Sequence, residues 1–327
     1  MSRFSTMRIA AFFCACLMMA GIFSIAPSQA RAAYPDKPVL VIVPFSPGGG
    51  NDVLLRLVAK HATEALGQSL TVENKPGAGG QIGWTALSTA RPDGYTIGAT
   101  SLPSMILIKS LRKNVPFELN NFKYICNFQV DPIIWVAQKD GKFADAKAVA
   151  DFAKANPKKL NVAGDGPQSN VQLQHLVACK ILEFETNFVP YSGSGPALTA
   201  LLGGKVDIAA STLSAAAPHI EGGRIVPLAI FFNKRMDPIQ DTPTIQEIFG
   251  KDIPSIGMAL RGVAAPKDVS DEQVAILEKA FAKVAQSQEF IDQARGLGLT
   301  INFMGAAEST KLVEDSAKLV EEYISLF

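Results

Sequence analysis

Four glycine-rich loops, each between a short apolar strand and a helix-like segment, constrain the fold of this chain more than any other feature. The first is SPGGGND, from Ser46 to Asp52, and it follows an apolar run that starts at Val39. The others occupy residues 74–83, 164–170 and 191–197. This alternation of strand, loop and helix predicts an α/β protein, with mainly parallel sheets and helices on both faces.

The first of these loops is suited to binding an anion. Gly48, Gly49 and Gly50 place no side chain between the backbone and an approaching ligand. An amphipathic helix pattern begins at once, so its first N–H groups have no partner inside the helix. Because ligands of open parallel sheets bind at the carboxyl ends of the strands, two such sheets facing each other would enclose a ligand between their loops.

The N-terminus has the pattern of a secretory signal peptide. Arg3 and Arg8 precede an apolar stretch, and Ser28 and Ala30 occupy the −3 and −1 positions of a cleavage site. The apolar stretch is short for a membrane-spanning helix. We expect residues 1–30 to be removed and the protein to be exported; a retained N-terminal membrane anchor is the alternative.

Composition excludes several classes of function. Removing residues 1–30 leaves 297 residues, enough for two domains, and changes the formal net charge from +1 to −1, which argues against a nucleic-acid partner. The remaining cysteines, Cys126 and Cys179, lie in apolar stretches and are expected to be buried thiols, although an oxidising compartment would permit a disulfide. With no CxxC motif and three histidines, we expect no metal site and no cofactor.

No catalytic motif accompanies the loops. There is no Walker A sequence, and the second loop has Ile82 where a dinucleotide fingerprint needs its third glycine. The histidines fall on helix-like segments, and no nucleophile is paired with an oriented base. We therefore expect a binding protein and not an enzyme; an α/β enzyme that uses a serine of the SGSG segment, Ser192 or Ser194, stays open as the alternative.

Several motifs together resemble one family along almost the whole mature chain. YPDKPVLVIVPFSPGGGND, ENKPGAGGQIG, RPDGYT, VPYSGSGPALTALLGGKVD and DTPTIQEI occur in the order found in the Bug/TctC family. Those proteins are periplasmic solute-binding proteins of tripartite tricarboxylate transporters. The resemblance implies a two-lobed type II periplasmic-binding fold, with lobe 1 formed by residues 34–133 plus 257–327 and lobe 2 by residues 134–256.

The resemblance also implies a function. The ligand would be a small organic carboxylate, such as a dicarboxylate, a tricarboxylate or an aromatic acid. The partners would be membrane transporter subunits, although a sensor that reports to a signalling partner is a further alternative. We expect a monomer in the periplasm.

The family pattern, carried over residue by residue, gives a set of expected ligand contacts. In lobe 1 these are Phe45, Ser46, Pro47, Gly48, Gly49, Gly50, Asn51, Asp52, Gly77, Ala78, Gly79, Gly80 and Ser101. In lobe 2 they are Ser169, Asn170, Tyr191, Gly193, Ser194, Ser211, Thr212 and Phe231.

Departures from the family pattern bear on the identity of the ligand. Ser211 stands where many relatives have an aspartate, so an ammonium group on the ligand would lose its partner. Phe231 and Phe232 replace small hydroxyl residues and either contact an apolar part of the ligand or pack in the hinge or core. Leu260 and Arg261 replace a Trp-Phe pair, and Arg261 either forms a structural salt bridge or reaches a second carboxylate. We expect a carboxylate without an amine.

Overall fold

The computed structural model describes residues 34–327, so the predicted signal peptide lies outside the described residues. The helices and strands treated below belong to one compact unit, Lys37–Phe327. Within residues 34–327, no helix combines the length and the apolar character that a membrane-crossing segment needs.

The described residues form eleven strands and eleven α-helices. The strands are β1 (Val39–Val43), β2 (Leu70–Asn74), β3 (Thr96–Leu102), β4 (Phe122–Asp131), β5 (Ile133–Gln138), β6 (Asn161–Gly164), β7 (Asn187–Pro190), β8 (Ile208–Thr212), β9 (Ile225–Phe231), β10 (Ala259–Pro266) and β11 (Ile301–Met304). The helices are α1 (Gly50–Leu66), α2 (Gln81–Ser88), α3 (Ser104–Leu111), α4 (Ala146–Ala155), α5 (Asn170–Leu182), α6 (Ser194–Leu202), α7 (Leu213–Glu221), α8 (Ile245–Phe249), α9 (Asp271–Gln286), α10 (Gln288–Gly296) and α11 (Ala306–Tyr323).

The strands form two sheets. The first has six strands in the order β11-β4-β10-β3-β1-β2, and the second has five in the order β7-β6-β8-β5-β9. In the first sheet β1 is parallel to β2 and β3, whereas β10 is antiparallel to β3 and β4. In the second, β6 is parallel to β7 and β8, whereas β5 is antiparallel to β8 and β9.

The α/β class is confirmed: both sheets are mixed, and most strands of each run in one direction, with β10 and β11 of the first sheet and β5 of the second running against them. Glycine loops mark strand–helix–strand units, whose strands run parallel. β5 and β10 are the first strands after the chain passes from one sheet to the other, and both run against their neighbours. Their direction therefore has no local sequence signal.

The chain passes between the sheets twice. Only Pro132 separates β4 from β5, and residues 232–258 connect β9 back to β10. The first sheet therefore uses residues 39–131 and 259–304, and the second uses residues 133–231. The lobe boundaries given above stay a prediction.

Apolar periodicity positions the helices against the sheets. In α9 the predicted face is confirmed: Val274, Leu277, Phe281 and Val284 are all buried. Ser270 caps this helix by accepting a hydrogen bond from the Gln273 N–H at 3.2 Å. The rest of the structure holds the four glycine loops at the carboxyl ends of β1, β2, β6 and β7.

Candidate ligand-binding site

The four loops lie in two adjacent pairs. We name them loop 1 (residues 44–49), loop 2 (75–80), loop 3 (165–169) and loop 4 (191–193). Loops 1 and 2 follow the parallel neighbours β1 and β2, and loops 3 and 4 follow the parallel neighbours β6 and β7. Backbone hydrogen bonds fix each pair where the strands end, from Lys75 N–H to the Val43 carbonyl (2.8 Å) and from Tyr191 N–H to the Gly164 carbonyl (2.9 Å).

Asp52 shapes loop 1 through three hydrogen bonds that its buried carboxylate accepts from the protein itself. Its Oδ2 accepts from the Gly48 N–H at 2.8 Å, and its Oδ1 accepts from Arg56 Nε at 3.0 Å and from Asn74 Nδ2 at 2.8 Å. Burial alone would raise the pKa of Asp52, but these hydrogen bonds together lower it below its usual value. The role observed for Asp52 is therefore to shape loop 1, and its contact with a ligand stays a prediction.

Three helices of the site begin without a side-chain cap. The residues before α1, α2 and α6 are Gly49, Gly80 and Gly193, and no side chain accepts a hydrogen bond at these N-termini. By contrast, the Ser169 side chain caps α5 by accepting from Gln172 N–H at 3.1 Å. Uncapped N–H groups and the helix dipole both favour an anion at these three positions.

Loop 2 has an unusual backbone. Gly77, Ala78, Gly79 and Gly80 follow one another with φ values of 134°, 47°, 67° and 109°. Such turns can direct successive N–H groups toward one anion, and they favour glycine because a side chain is strained there. At Ala78, which is not glycine, the carbonyl is held by Arg112 Nη1 at 2.7 Å.

Arg261 is a buried cation beside loop 1. Its side chain is 8% exposed, and Nη1 donates to Asp131 Oδ2 at 2.7 Å and to Gln129 Oε1 at 2.9 Å. The guanidinium lies against the start of α1: a Cβ atom at Gly50 would be 2.7 Å from Arg261 Cζ. Of the two roles expected for Arg261, the structural salt bridge is therefore observed, and contact with a second carboxylate stays a proposal.

Three buried polar atoms around this cation have no hydrogen-bond partner within the described residues. They are Asn51 Oδ1, Gln129 Nε2 and Asp165 Oδ1. Burial raises the pKa of Asp165, although the Ser169 hydroxyl and the charge of Arg261 act in the opposite direction. Buried polar atoms normally have a hydrogen-bond partner, so we expect these three atoms to bond to a ligand or to water.

The expected contacts near the end of β8 are used by the protein itself. Ser211 and Thr212 are buried, and Ser211 Oγ donates to the Thr212 carbonyl at 3.2 Å. The start of α7 just beyond them is occupied by Asp131, whose carboxylate accepts from the Ser214 N–H at 3.0 Å and from the Ser214 hydroxyl. This helix therefore offers no free N-terminus.

Phe231 lies in the interior of the second sheet. It is 0% exposed and packs edge-to-face on Trp135, with 5.0 Å between ring centroids. Of the two roles expected for Phe231, the structure supports core packing, and we withdraw it as a ligand contact. The physical reason is that β9 pairs Phe231 with Ile133 of the central strand β5, so its ring joins the core.

Other expected residues lie near the loops with roles of their own. Ser101, buried in β3, is paired across the sheet with Arg261 of β10. Asn170 Nδ2 donates to the Gly257 carbonyl at 2.9 Å, which ties α5 to the segment that returns to the first sheet.

Tyr191 is half-buried and packs on the apolar cluster beneath α6. The structure brings the remaining expected residues to loops 1, 2 and 4 and to the helix starts beside them; these are Phe45, Ser46, Pro47, Gly49 and Ser194.

Three residues at the loops were not among the expected contacts. Arg112 and Gln129 come together with the loops only through the fold, and no local motif marks them. Asp165 stands inside a glycine loop, and that position was the available signal.

The titratable groups nearby are not arranged for catalysis. Cys179 Sγ lies 3.3 Å from His175 Nε2, but burial raises the pKa of Cys179 to about 12 and lowers that of His175 to about 3. Burial therefore disfavours both a thiolate at Cys179 and an imidazolium at His175 at neutral pH. Cys126 and Cys179 are free and buried, as expected, and they form no disulfide. Within residues 34–327, no group of three or more His, Cys, Asp or Glu side chains could hold a metal ion.

Comparison with known proteins gives a consistent picture. The profile of the tripartite tricarboxylate transporter family receptor, TctC, matches residues 54–325. BugT of Bordetella pertussis is 30% identical over 294 residues, which cover 87% of this chain and 88% of BugT. The structure of the periplasmic binding protein BugD is 29% identical, with a TM-score of 0.77, covering 89% of this chain and 98% of BugD.

Two further solved structures contain ligands. Rpa4515 of R. palustris, solved with adipate, is 25% identical, with a TM-score of 0.82 and coverage of 90% of this chain and 98% of that protein. MatC of Rhodopseudomonas palustris, with bound malate, is 28% identical, with a TM-score of 0.74 and coverage of 89% and 98%. These relatives are solute-binding proteins and not enzymes, and they confirm the two-lobed fold. The chain therefore belongs to the TctC, or Bug, family of periplasmic solute-binding proteins.

Proposed function

We propose that this protein binds a small organic carboxylate in the periplasm and delivers it to a membrane transporter. The observation that carries the proposal is the set of uncapped helix N-termini at α1, α2 and α6, which follow loops 1, 2 and 4. Adipate and malate, found with two solved relatives, are both carboxylates and support this ligand class.

One carboxylate of the ligand would lie at loops 1 and 2. The N–H groups at the starts of α1 and α2 would donate to its oxygens, with ordered water completing the shell. Of the unpartnered atoms, Gln129 Nε2 would donate to an oxygen of the ligand, and the oxygens Asn51 Oδ1 and Asp165 Oδ1 would accept from a ligand hydroxyl or from water. Because Asp131 already neutralises Arg261, a second carboxylate would bind there through hydrogen bonds more than through net charge.

We further propose that the ligand has no amine. Ser211 offers no negative charge, and the carboxylate of Asp131 is engaged by Arg261 and Ser214. Asp165 lies in loop 3, where burial raises its pKa and so weakens it as a partner for an ammonium group. A dicarboxylate, a tricarboxylate or an aromatic acid fits these conditions.

Calorimetry on the mature chain, residues 31–327, tests the ligand class. We expect adipate or malate, or another organic acid of a panel, to bind with one site per chain. Aspartate and glutamate serve as the amine-bearing counterparts. If neither the organic acids nor any acid that copurifies with the protein binds, the proposed function is wrong; if the amino acids bind and the organic acids do not, the amine-free proposal is wrong.

Location, oligomeric state and delivery need separate experiments. N-terminal sequencing of the protein from a periplasmic extract should begin near residue 31, and the purified protein should elute as a monomer. Deleting the gene should abolish uptake of the bound acid, and uptake should return with the wild-type gene. Retained uptake in the deletion strain would contradict delivery to a transporter.

A further inference from the structure

Arg112 connects loop 2 of the first sheet with loop 3 of the second. It follows the last residue of α3, and its own N–H donates to the Ile108 carbonyl at 3.2 Å, so its backbone is fixed at the helix end. From there Nη1 donates to the Ala78 carbonyl at 2.7 Å and to Gln81 Oε1 at 3.3 Å. Nε donates to Gln168 Oε1 at 3.1 Å. One guanidinium therefore contacts both loops.

On the loop 2 side, Arg112 holds a strained backbone in place. Ala78 has a φ of 47°, which costs energy in a residue with a side chain, and its carbonyl is the acceptor of the shortest of these hydrogen bonds. Gly79 is favoured by its φ of 67° and not by lack of space, because a Cβ atom there would be 3.4 Å from Arg112 Nη2, an ordinary van der Waals contact. The N–H groups before α2 keep the direction needed for an anion only while this turn is kept.

On the loop 3 side, Gln168 is held in a similar conformation. Its φ is 58°, and its N–H donates to Gln172 Oε1 at 2.7 Å. The next residue, Ser169, is the cap of α5. A movement of loop 3 away from the first sheet would therefore break the bond from Arg112 and release Gln168.

Contacts of α5 with residues outside the second sheet include the Lys180 ammonium over the Tyr323 ring of α11, 5.5 Å from its centroid, and hydrogen bonds to the segment that joins the sheets. Asn170 and Gln174 bond to Pro254 and Gly257, which belong to the segment that joins the two sheets. Those contacts can persist while the sheets move about that connection. Arg112 lies at the end of α3, next to the first sheet, and Gln168 lies in loop 3 of the second sheet. Their hydrogen bond therefore depends on the distance between the two sheets.

The charge of Arg112 is not neutralised by an acid. All three of its acceptors are neutral oxygens, and in the described part of the chain it takes part in no ion pair. An anion bound at loop 2 would therefore gain a favourable interaction with this guanidinium.

We propose that Arg112 is a positioning residue that links the anion-binding shape of loop 2 to the placement of loop 3 through Gln168. An anion at loop 2 orders the guanidinium, and the ordered guanidinium holds loop 3 over the site. The ligand named here rests on the proposed function, but the link between the two loops does not.

Hydrogen exchange of the ligand-free mature chain tests the link without any ligand. The Arg112→Ala variant should speed exchange by at least tenfold in residues 77–82 and also in residues 166–172. The Gln168→Ala variant should speed exchange in both segments as well, and the double variant should exchange no faster than Arg112→Ala alone. Arg295→Ala, which removes an exposed arginine that pairs with Asp292 within α10, should change neither segment.

Unchanged exchange in residues 166–172 of Arg112→Ala, with the melting temperature of wild type, would overturn the proposal. If Arg112→Ala folds poorly, Arg112→Lys decides: it keeps the charge but lacks the planar fork, so both segments should still exchange faster than in wild type. With adipate as the probe, weakening by tenfold or more in Arg112→Ala and by a smaller factor in Arg112→Lys would support the role in binding. Equal affinity in all three proteins would overturn that role while leaving the proposed function intact.

Discussion

At Gly50, a missing side chain makes room for a charge. The Arg261 guanidinium occupies the space that a Cβ atom would take, and Asp131 and Gln129 hold it there. Arg261 is thus kept beside the start of α1 as a hydrogen-bond donor whose charge is balanced by Asp131.

Substituting Gly50 by alanine tests this close contact. A Cβ atom 2.7 Å from Arg261 Cζ must displace a guanidinium that its partners hold. We expect the free energy of unfolding to fall by about 1–3 kcal/mol, as for other overpacked sites, and carboxylate binding to weaken. Urea unfolding and calorimetry measure the two effects.

Gly296→Ala is the matched control, because nothing lies within 4 Å of a Cβ atom at that position in α10. Its stability should stay within about 0.5 kcal/mol of wild type. A Gly50→Ala protein as stable as this control would show that Arg261 moves freely, which contradicts the tight packing described above.

Asp165 makes stability depend on pH in a predictable direction. Its pKa is raised by burial, so the folded protein holds this proton more tightly than the unfolded chain does. Stability is therefore lost as the pH rises from the usual carboxyl value of 3.8 through the raised pKa. Asp165→Asn removes this loss, and we expect the variant to be more stable than wild type at neutral pH, measured by urea unfolding between pH 4 and 8.

Asp151→Asn removes the same charge from the exposed face of α4 and serves as the control. Its difference from wild type should not vary with pH in the way that Asp165→Asn does. If the Asp165→Asn and wild-type stability curves stay parallel from pH 4 to 8, the raised pKa assigned to Asp165 is wrong.

At the scale of elements, Asp131 joins β4 and β10 of the first sheet to α7, which follows β8 of the second sheet. Its carboxylate accepts from Arg261 Nη1 and from the N–H of Ser214 in α7. It therefore takes the place that an external anion would have at α7, and this is why the end of β8 is not part of the proposed site.

Replacing Asp131 by asparagine should be strongly destabilising. It leaves the Arg261 guanidinium buried without a negative charge, and breaking a buried pair in this way costs about 3–5 kcal/mol. Removing both charges, with Asp131→Asn and Arg261→Gln together, should cost less than Asp131→Asn alone. Urea unfolding of the three proteins measures this; a loss under about 1 kcal/mol for the single variant would contradict the pairing.

Sequence reasoning predicted the elements that carry a strong local pattern. The glycine loops gave the positions of α1 and α6, and apolar spacing gave the buried face of α9. It missed α10, because that helix is polar and buries only Phe290 and Ala294, and it missed the four-residue β11.

The candidate site was predictable in part for the same reason. A glycine directly before a helix has no side chain to cap it, so the uncapped helix N-termini at loops 1, 2 and 4 could be predicted from the sequence. The roles of Asp131 and Arg112 depend on contacts with residues far along the chain, such as Arg261 and Gln168, and no local spacing predicts them. Ser211 has a suitable hydroxyl at a strand end, but the backbone of Thr212 already accepts its hydrogen bond.

At the scale of the whole molecule, the two buried thiols can be used to follow the unfolding of the two sheets separately. Cys126 lies in β4 of the first sheet, and Cys179 lies in α5, which packs with the second. Burial raises the pKa of both thiols, so neither should react in the folded state.

We expect a thiol reagent to label neither cysteine in the native mature chain and both in guanidinium chloride. A ligand that binds only the folded form stabilises it by about 2.7 kcal/mol at a concentration 100 times Kd, so adding the bound acid should slow labelling of both thiols near the midpoint of guanidinium chloride unfolding. Mass spectrometry of the labelled peptides distinguishes the two sites. Rapid labelling of either cysteine in native protein would contradict its burial.

β10 is synthesised after nine of the other strands, but it lies in the middle of the first sheet, between β3 and β4. Until Pro266 has emerged, β3 and β4 each expose an edge that a strand of another chain could pair with. By then every strand of the second sheet has been synthesised. A nascent chain can thus complete its second sheet while the first is still open, so the edges of β3 and β4 are where pairing with another chain would start before β10 closes the sheet.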